Sequence, residues 1–101
     1  MEKLRPTYDL VAIKAALGSV STLAMTTSAL RDATGLGFDR HAVVAIINGI
    51  ERRMFFKSMT TRADHRVWQD VYHVPAQGMV LYVKFQADVI TEFQVVSFKG
   101  K

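Results

Sequence analysis

The chain has no cysteine, which excludes a disulfide framework and any thiolate metal site, so its stability has to come from packing. It has no apolar run long enough to cross a bilayer, and its first residues, MEKLRPTYDL, carry charge with no apolar signal core behind it. Those two absences predict a cytoplasmic protein without a membrane span. No segment repeats, and no low-complexity tract or linker divides the 101 residues, which suffice for one core and are too few for two ordinary domains. A single domain over residues 1–101 is expected. Metal-ligand spacing is missing as well: His41, His65 and His73 form no HxH or HxxxH pair, and with Asp64 and Asp70 they compose no recognisable ligand set. Neither a metal nor another cofactor is expected.

Acidic residues are scarce in one place. The chain carries a formal net charge of +4, and between Arg52 and Arg66 five cations stand against Asp64 alone, an excess equal to that of the whole chain. Such a block attracts polyanions and points to RNA, DNA or an acidic protein partner; standing alone, it is equally a solvated charged surface.

What is present is a hydrophobic half of the chain arranged in two periodicities. Leu10, Ile13 and Leu17 recur at helical spacing behind Thr7, a candidate cap, with Gly18 as a stop. LAMTT at 23–27 reads as a short strand. Thr27 or Ser28 is placed to cap a helix through SALRDAT, ended by Gly35 and Gly37. Asp39 is placed to cap a third, in which Val43, Ile46, Ile47 and Ile50 form one apolar face, so this helix belongs to the core. Beyond Glu51 the pattern changes to four strands, RRMFFKSMT, VWQDVYHV, MVLYVKFQA and ITEFQVVSF, joined by links too short for parallel crossovers. The expected fold is α+β, with N-terminal helices packed on one face of a mainly antiparallel sheet.

Period-two alternation then groups the polar side chains. Lys57 is expected to share a face with Phe55 and Met59, Gln69 with Val71 and His73, Tyr82 with Val80 and Lys84, and Lys99 with Ser97. One register brings Lys57, Gln69, Tyr82 and Lys99 together, and a one-residue slip separates them. Trp68 falls with Asp70 and Tyr72 on the opposite face and is expected in the core. His65, in the basic loop, is either an aid to proton transfer or a turn residue bonded to Asp64.

The run FFKSMTTRADHRVWQDVY at 55–72, LYVK at 81–84 and VVSFKGK at 95–101 together resemble the MqsR family of mRNA interferases, the toxin halves of toxin–antitoxin pairs. The resemblance extends more weakly through MEK at the start and TTSAL at 26–30, and it covers nearly the whole chain. It implies a RelE-like fold and metal-independent RNA cleavage at GC-containing triplets, in which a 2′-hydroxyl attacks the neighbouring phosphate. It further implies mRNA as substrate, a zinc-binding, helix-turn-helix antitoxin as partner, and contact with DNA only through that antitoxin. Carried over residue by residue, the catalytic positions are Lys57, Gln69, Tyr82 and Lys99. Around them Arg53, Ser58, Arg62, His65, Arg66, His73 and Lys84 are expected to contact RNA. Phe56 stands where the family usually has tyrosine and His73 where arginine is common, which bears on substrate preference.

In that reaction Lys57 and Lys99 would stabilise charge on the phosphate, Tyr82 would protonate the leaving oxygen, and Gln69 would orient the phosphate or a base. Lys57 or Lys99, in a mutually repelling pair, is the expected general base. The competing readings are a non-catalytic nucleic-acid-binding module, with residues 26–49 as a helix-turn-helix, and a protein-interaction domain. The first of these gives its recognition helix almost nothing but Ala, Val and Ile with which to meet DNA.

Overall fold

A computed structural model describes all 101 residues. Three helices, α1 (Leu10–Leu17), α2 (Thr27–Gly35) and α3 (Arg40–Asn48), precede a 3-10 turn at Arg52–Met54. The antiparallel sheet has the order β1-β2-β3-β4-β5, formed by β1 (Glu2–Lys3), which precedes the helices, and by β2 (Phe55–Thr60), β3 (Trp68–Ala76), β4 (Met79–Asp88) and β5 (Glu92–Gly100), which follow them. The α+β expectation holds, with the helices on one face of the sheet. No helix is long and apolar enough to cross a membrane.

The helices start where short polar side chains can satisfy free backbone N–H groups. Asp39 caps α3 as expected, accepting from the Ala42 N–H at 2.8 Å. The other two caps fall elsewhere than the sequence suggested. Asp9, not Thr7, accepts from the Val11 N–H and caps α1, while Thr26, one residue before the expected pair, accepts from the Ala29 N–H and caps α2. Gly18 closes α1 because a side chain there would collide with the Lys14 carbonyl. Its own carbonyl accepts from Asn48 Nδ2 at 3.0 Å, which ties the end of α1 to the end of α3.

Val43, Ile47 and Ile50 are fully buried and join Ile13, Leu17, Ala29, Ala33 and Phe38 against Leu81, Val83, Phe85, Val95 and Phe98 of the sheet. With that face in the core, the positions α3 leaves exposed beyond its first residue are His41, Ala45 and Asn48, which offer few groups with which to meet DNA. LAMTT is not a strand of its own. Met25 makes one parallel bridge to Val95, through the Thr26 N–H to the Val95 carbonyl and the Val95 N–H to the Ala24 carbonyl, so it covers the β5 edge. The β3–β4 hairpin turns through Gln77 and Gly78, both at positive φ (50° and 79°), the geometry of a two-residue turn that follows strand twist.

The short strand β1 was not foreseen. It pairs with β2 through Glu2↔Met59 and Lys3↔Ser58, and it is held there by the segment behind it. The carboxylate of Asp70, fully buried on the helix face of β3, accepts from the Thr7 N–H at 3.0 Å and the Tyr8 N–H at 2.9 Å. Thr7 Oγ1 and Ser58 Oγ lie 2.7 Å apart, and Tyr8 Oη donates to the Trp68 carbonyl at 2.7 Å. Trp68 is therefore on the helix face as expected but not in the core: it is half-buried, and its ring is covered by the Lys3 ammonium 4.1 Å from the centroid. Replacing Asp70 by alanine leaves two partly buried N–H groups without their partner, so Asp70→Ala is expected to lower stability by about 1–3 kcal/mol. Urea unfolding measures this, and a loss below about 0.5 kcal/mol would contradict the anchoring role.

Candidate active site on the open face of the sheet

Register assigns the polar strand residues to the face the helices leave free. Three rows cross it: Met59, Gln69, Gln86 and Gln94; Lys57, Val71, Lys84 and Ser97; and Phe56, His73, Tyr82 and Lys99. Neither end of this pattern follows simple alternation. A bulge between Phe55 and Lys57 turns Phe55 toward Tyr72 and the core, ring centroids 5.6 Å apart, and sends both Phe56 and Lys57 to the open face. Lys57 thus shares its face with Phe56, not with Phe55. A second irregularity between Lys84 and Phe85 keeps Lys99 beside Tyr82 and Gln94 beside Gln86.

The four residues Lys57, Gln69, Tyr82 and Lys99 all lie on this face, spread over its three rows. Tyr82 and Lys99 are direct cross-strand neighbours. Gln69 donates from Nε2 to Gln86 Oε1 at 2.9 Å, so its amide orientation is set by a partner the sequence did not single out. His73 is the cross-strand neighbour of Tyr82 and stacks under Phe56, with ring centroids 4.2 Å apart and planes at 25°. Its Nε2 is buried without a partner, and burial, followed by the charge of Lys101, pushes its pKa below the usual value. Both effects favour the uncharged form of the His73 imidazole.

The row of Lys57 and Lys84 is the unusual one. Val71 between them is fully buried although it faces away from the helices, and it is the cross-strand neighbour of both lysines, whose long apolar stems are placed to cover it. Lys57 Nζ donates to Glu2 Oε2 at 2.8 Å, and that bond holds the Lys57 pKa above the ordinary lysine value. The expectation that neighbouring cations lower it is reversed here by one carboxylate from β1. Lys84 behaves oppositely, its pKa lowered by burial first and then by Lys99 and Lys57.

The remaining RNA-contact candidates divide. Arg62, His65 and Arg66 are exposed in the β2–β3 loop, at the Gln69 end of the face. There Asp64 pairs with Arg66 at 3.1 Å, not with His65. Arg53 is exposed and paired with Glu51 on the 3-10 turn. Ser58 is removed from the set: it is fully buried on the helix face against Thr7, where no RNA can reach it. Two partners went unseen in the sequence, Gln86 and Glu2. Gln86 shares the alternation of Lys84 and was legible; Glu2 was not, because nothing in MEK announces a strand.

None of the three rows contains a carboxylate, and the face is shallow. The nearest cavity is a cleft of about 330 Å³ between Lys99, Gly100 and the end of α2. A flat, cationic, aromatic-bearing sheet face suits an extended polyanion such as single-stranded nucleic acid better than a small molecule. Such a face fits a small nucleic-acid-handling protein. The family model described as "Motility quorum-sensing regulator, toxin of MqsA" matches residues 5–100. The chain is also 39% identical over 101 residues to the mRNA interferase toxin MqsR of Escherichia coli (strain K12), covering 100% of both chains. It belongs to the MqsR toxin family, a family of endoribonucleases.

Because Glu2 neutralises the ammonium a phosphate would need, Glu2→Gln is expected to lower the Lys57 pKa and tighten binding of single-stranded RNA a few-fold at low salt. Lysine side-chain NMR titration and fluorescence anisotropy read the two effects. An unchanged Lys57 pKa would contradict the assignment of its shift to Glu2.

Proposed function

We propose that this chain is the toxin of a toxin–antitoxin pair and cleaves cytoplasmic mRNA on the open face of its sheet, without a metal, at GC-containing triplets. The observation that carries the reading is the shared face: Lys57, Gln69, Tyr82 and Lys99, the positions matching the family motif, all project from it in a chain of that family. The ribose 2′-hydroxyl attacks the adjacent phosphorus, leaving a 2′,3′-cyclic phosphate on one product and a 5′-hydroxyl on the other, so DNA survives. Negative charge grows on the phosphate oxygens in that step, and Lys57 and Lys99 stabilise it as fixed ammonium groups. Tyr82, one strand from His73 and the direct neighbour of Lys99, gives its proton to the leaving 5′-oxygen. Gln69, oriented by Gln86, positions a phosphate or base.

The loop cations Arg62 and Arg66, with His65, extend the same surface and lead the RNA onto it. The partner is a cognate antitoxin, in keeping with the family description as a toxin of MqsA. It is a zinc-binding, helix-turn-helix protein, and through it the pair reaches DNA.

Incubating the purified chain and its Lys57→Ala variant with unstructured RNA in excess EDTA tests the reading. The wild type is expected to produce cyclic-phosphate and 5′-hydroxyl ends, and Lys57→Ala to lose roughly 10²–10³ in rate. RNA left intact by the wild type, or cut with 5′-phosphate ends, would overturn it.

A further inference from the structure

Lys84 stands where the lysines of the open face converge. It occupies the middle row between Val71 and Ser97, beside the row holding Tyr82 and Lys99. It is half-buried, and its ammonium lies 5.3 Å from the Tyr82 ring centroid. The charged and titratable groups facing it are Lys57 on β2, with Glu2 reaching over from β1, His73 on β3, Tyr82 on its own strand and Lys99 on β5.

The three lysines are placed differently. Lys57 is bound to a carboxylate at 2.8 Å, Lys99 is exposed to solvent, and Lys84 alone is half-buried over an apolar floor with neither an ion-pair nor a hydrogen-bond partner. An ammonium in that position keeps its charge least well, because it has lost water and gained only cations and a ring face in exchange. An amine is the form that can accept a proton.

We propose that Lys84 is the general base of RNA cleavage. This rests on the functional reading above. Its amine takes the proton of the 2′-hydroxyl while that oxygen bonds to phosphorus; the bond from phosphorus to the 5′-oxygen breaks, and the 5′-oxygen leaves with the Tyr82 hydroxyl proton. The resulting Lys84 ammonium and Tyr82 phenolate then return to amine and phenol by proton exchange with solvent. The step leaves Lys57, held protonated by Glu2, and the exposed Lys99 as phosphate ligands, and it assigns opposite protonation states to neighbouring lysines on one face. The lowered Lys84 pKa, caused by burial and then by Lys99 and Lys57, agrees with this division.

Lys84→Arg tests it, since arginine keeps the charge and the stem but does not give up its proton. With a single-stranded RNA rich in GC-containing triplets, Lys84→Arg is expected to lose about 10²–10³-fold in kcat. Binding of a matching oligonucleotide that lacks 2′-hydroxyls is expected to stay within about threefold, which also shows that the variant is folded. The wild-type rate is expected to rise with pH along a limb centred below the ordinary lysine value of about 10.4, and Lys84→Arg to lack that limb. Wild-type kcat in Lys84→Arg, an unchanged limb, a limb that disappears instead in His73→Gln, or loss of affinity matching the loss of rate would each overturn the assignment to Lys84. RNA left intact by the wild type would overturn the functional reading, and this proposal with it.

Discussion

A carboxylate with no solvent exposure sits in the middle of the sheet's helix face, and the arrangement on both faces depends on it. Asp70 accepts two backbone N–H groups, from Thr7 and Tyr8, and so fixes the segment that precedes α1. A buried carboxylate is costly unless its oxygens are bonded; here the bonds come from a chain segment about sixty positions away in sequence, so forming them docks the N-terminus. That docking lays β1 along β2, closes the sheet edge and delivers Glu2 to Lys57 on the other face. One strand position inward and outward, Gln69 and Val71 project into the cationic surface. The residue that anchors the N-terminal segment is flanked in sequence by two that lie on the candidate site's face.

The two faces differ in the physics they offer. The helix face is packed with aliphatic and aromatic side chains and stabilises by burial. The open face buries a single valine, and it does so between two cross-strand lysines, which gives a small patch of lowered polarity inside a cationic surface. Electrostatic effects are larger in such a patch than in water. That is how three lysines of the same chemistry come to differ, one held charged by a carboxylate and one pushed toward neutrality. The aromatic stack of Phe56 on His73, at the end of the face near Tyr82, adds a flat surface against which a nucleobase can rest.

Much of this was legible in the sequence, for reasons that can be named. The apolar positions of α3 and the alternation in β3 and β4 are strong periodic signals, so the α+β layout, the grouping of Gln69 with His73 and that of Tyr82 with Lys84 followed from spacing, whereas the register that puts both groups on one face is a property of the folded sheet. The motif KSMTT with WQDVY and VSFK brought Lys57 and Lys99 in by resemblance. What escaped was non-local. The bulge at Phe55–Lys57 reverses a parity that alternation takes for granted, and the α1 cap falls to Asp9 while Thr7 is taken up by Asp70 and Ser58. The two-residue strand at Glu2–Lys3 owes its existence to a partner more than fifty residues away. The charge state of Lys57 depends on that strand, which is why reading its neighbours as cations alone gave the wrong sign.

On the proposed reading the open face, and not the helix side, is the surface that meets RNA. Side-chain and backbone NMR of the chain titrated with a single-stranded oligonucleotide lacking 2′-hydroxyls tests it without cleavage. The signals expected to be perturbed are the Gln69 and Gln86 amides, the ends of Lys57, Lys84 and Lys99, and the rings of Phe56, His73 and Tyr82. Perturbations gathered instead on the exposed residues of α1 and α2, with these side chains unmoved, would contradict it.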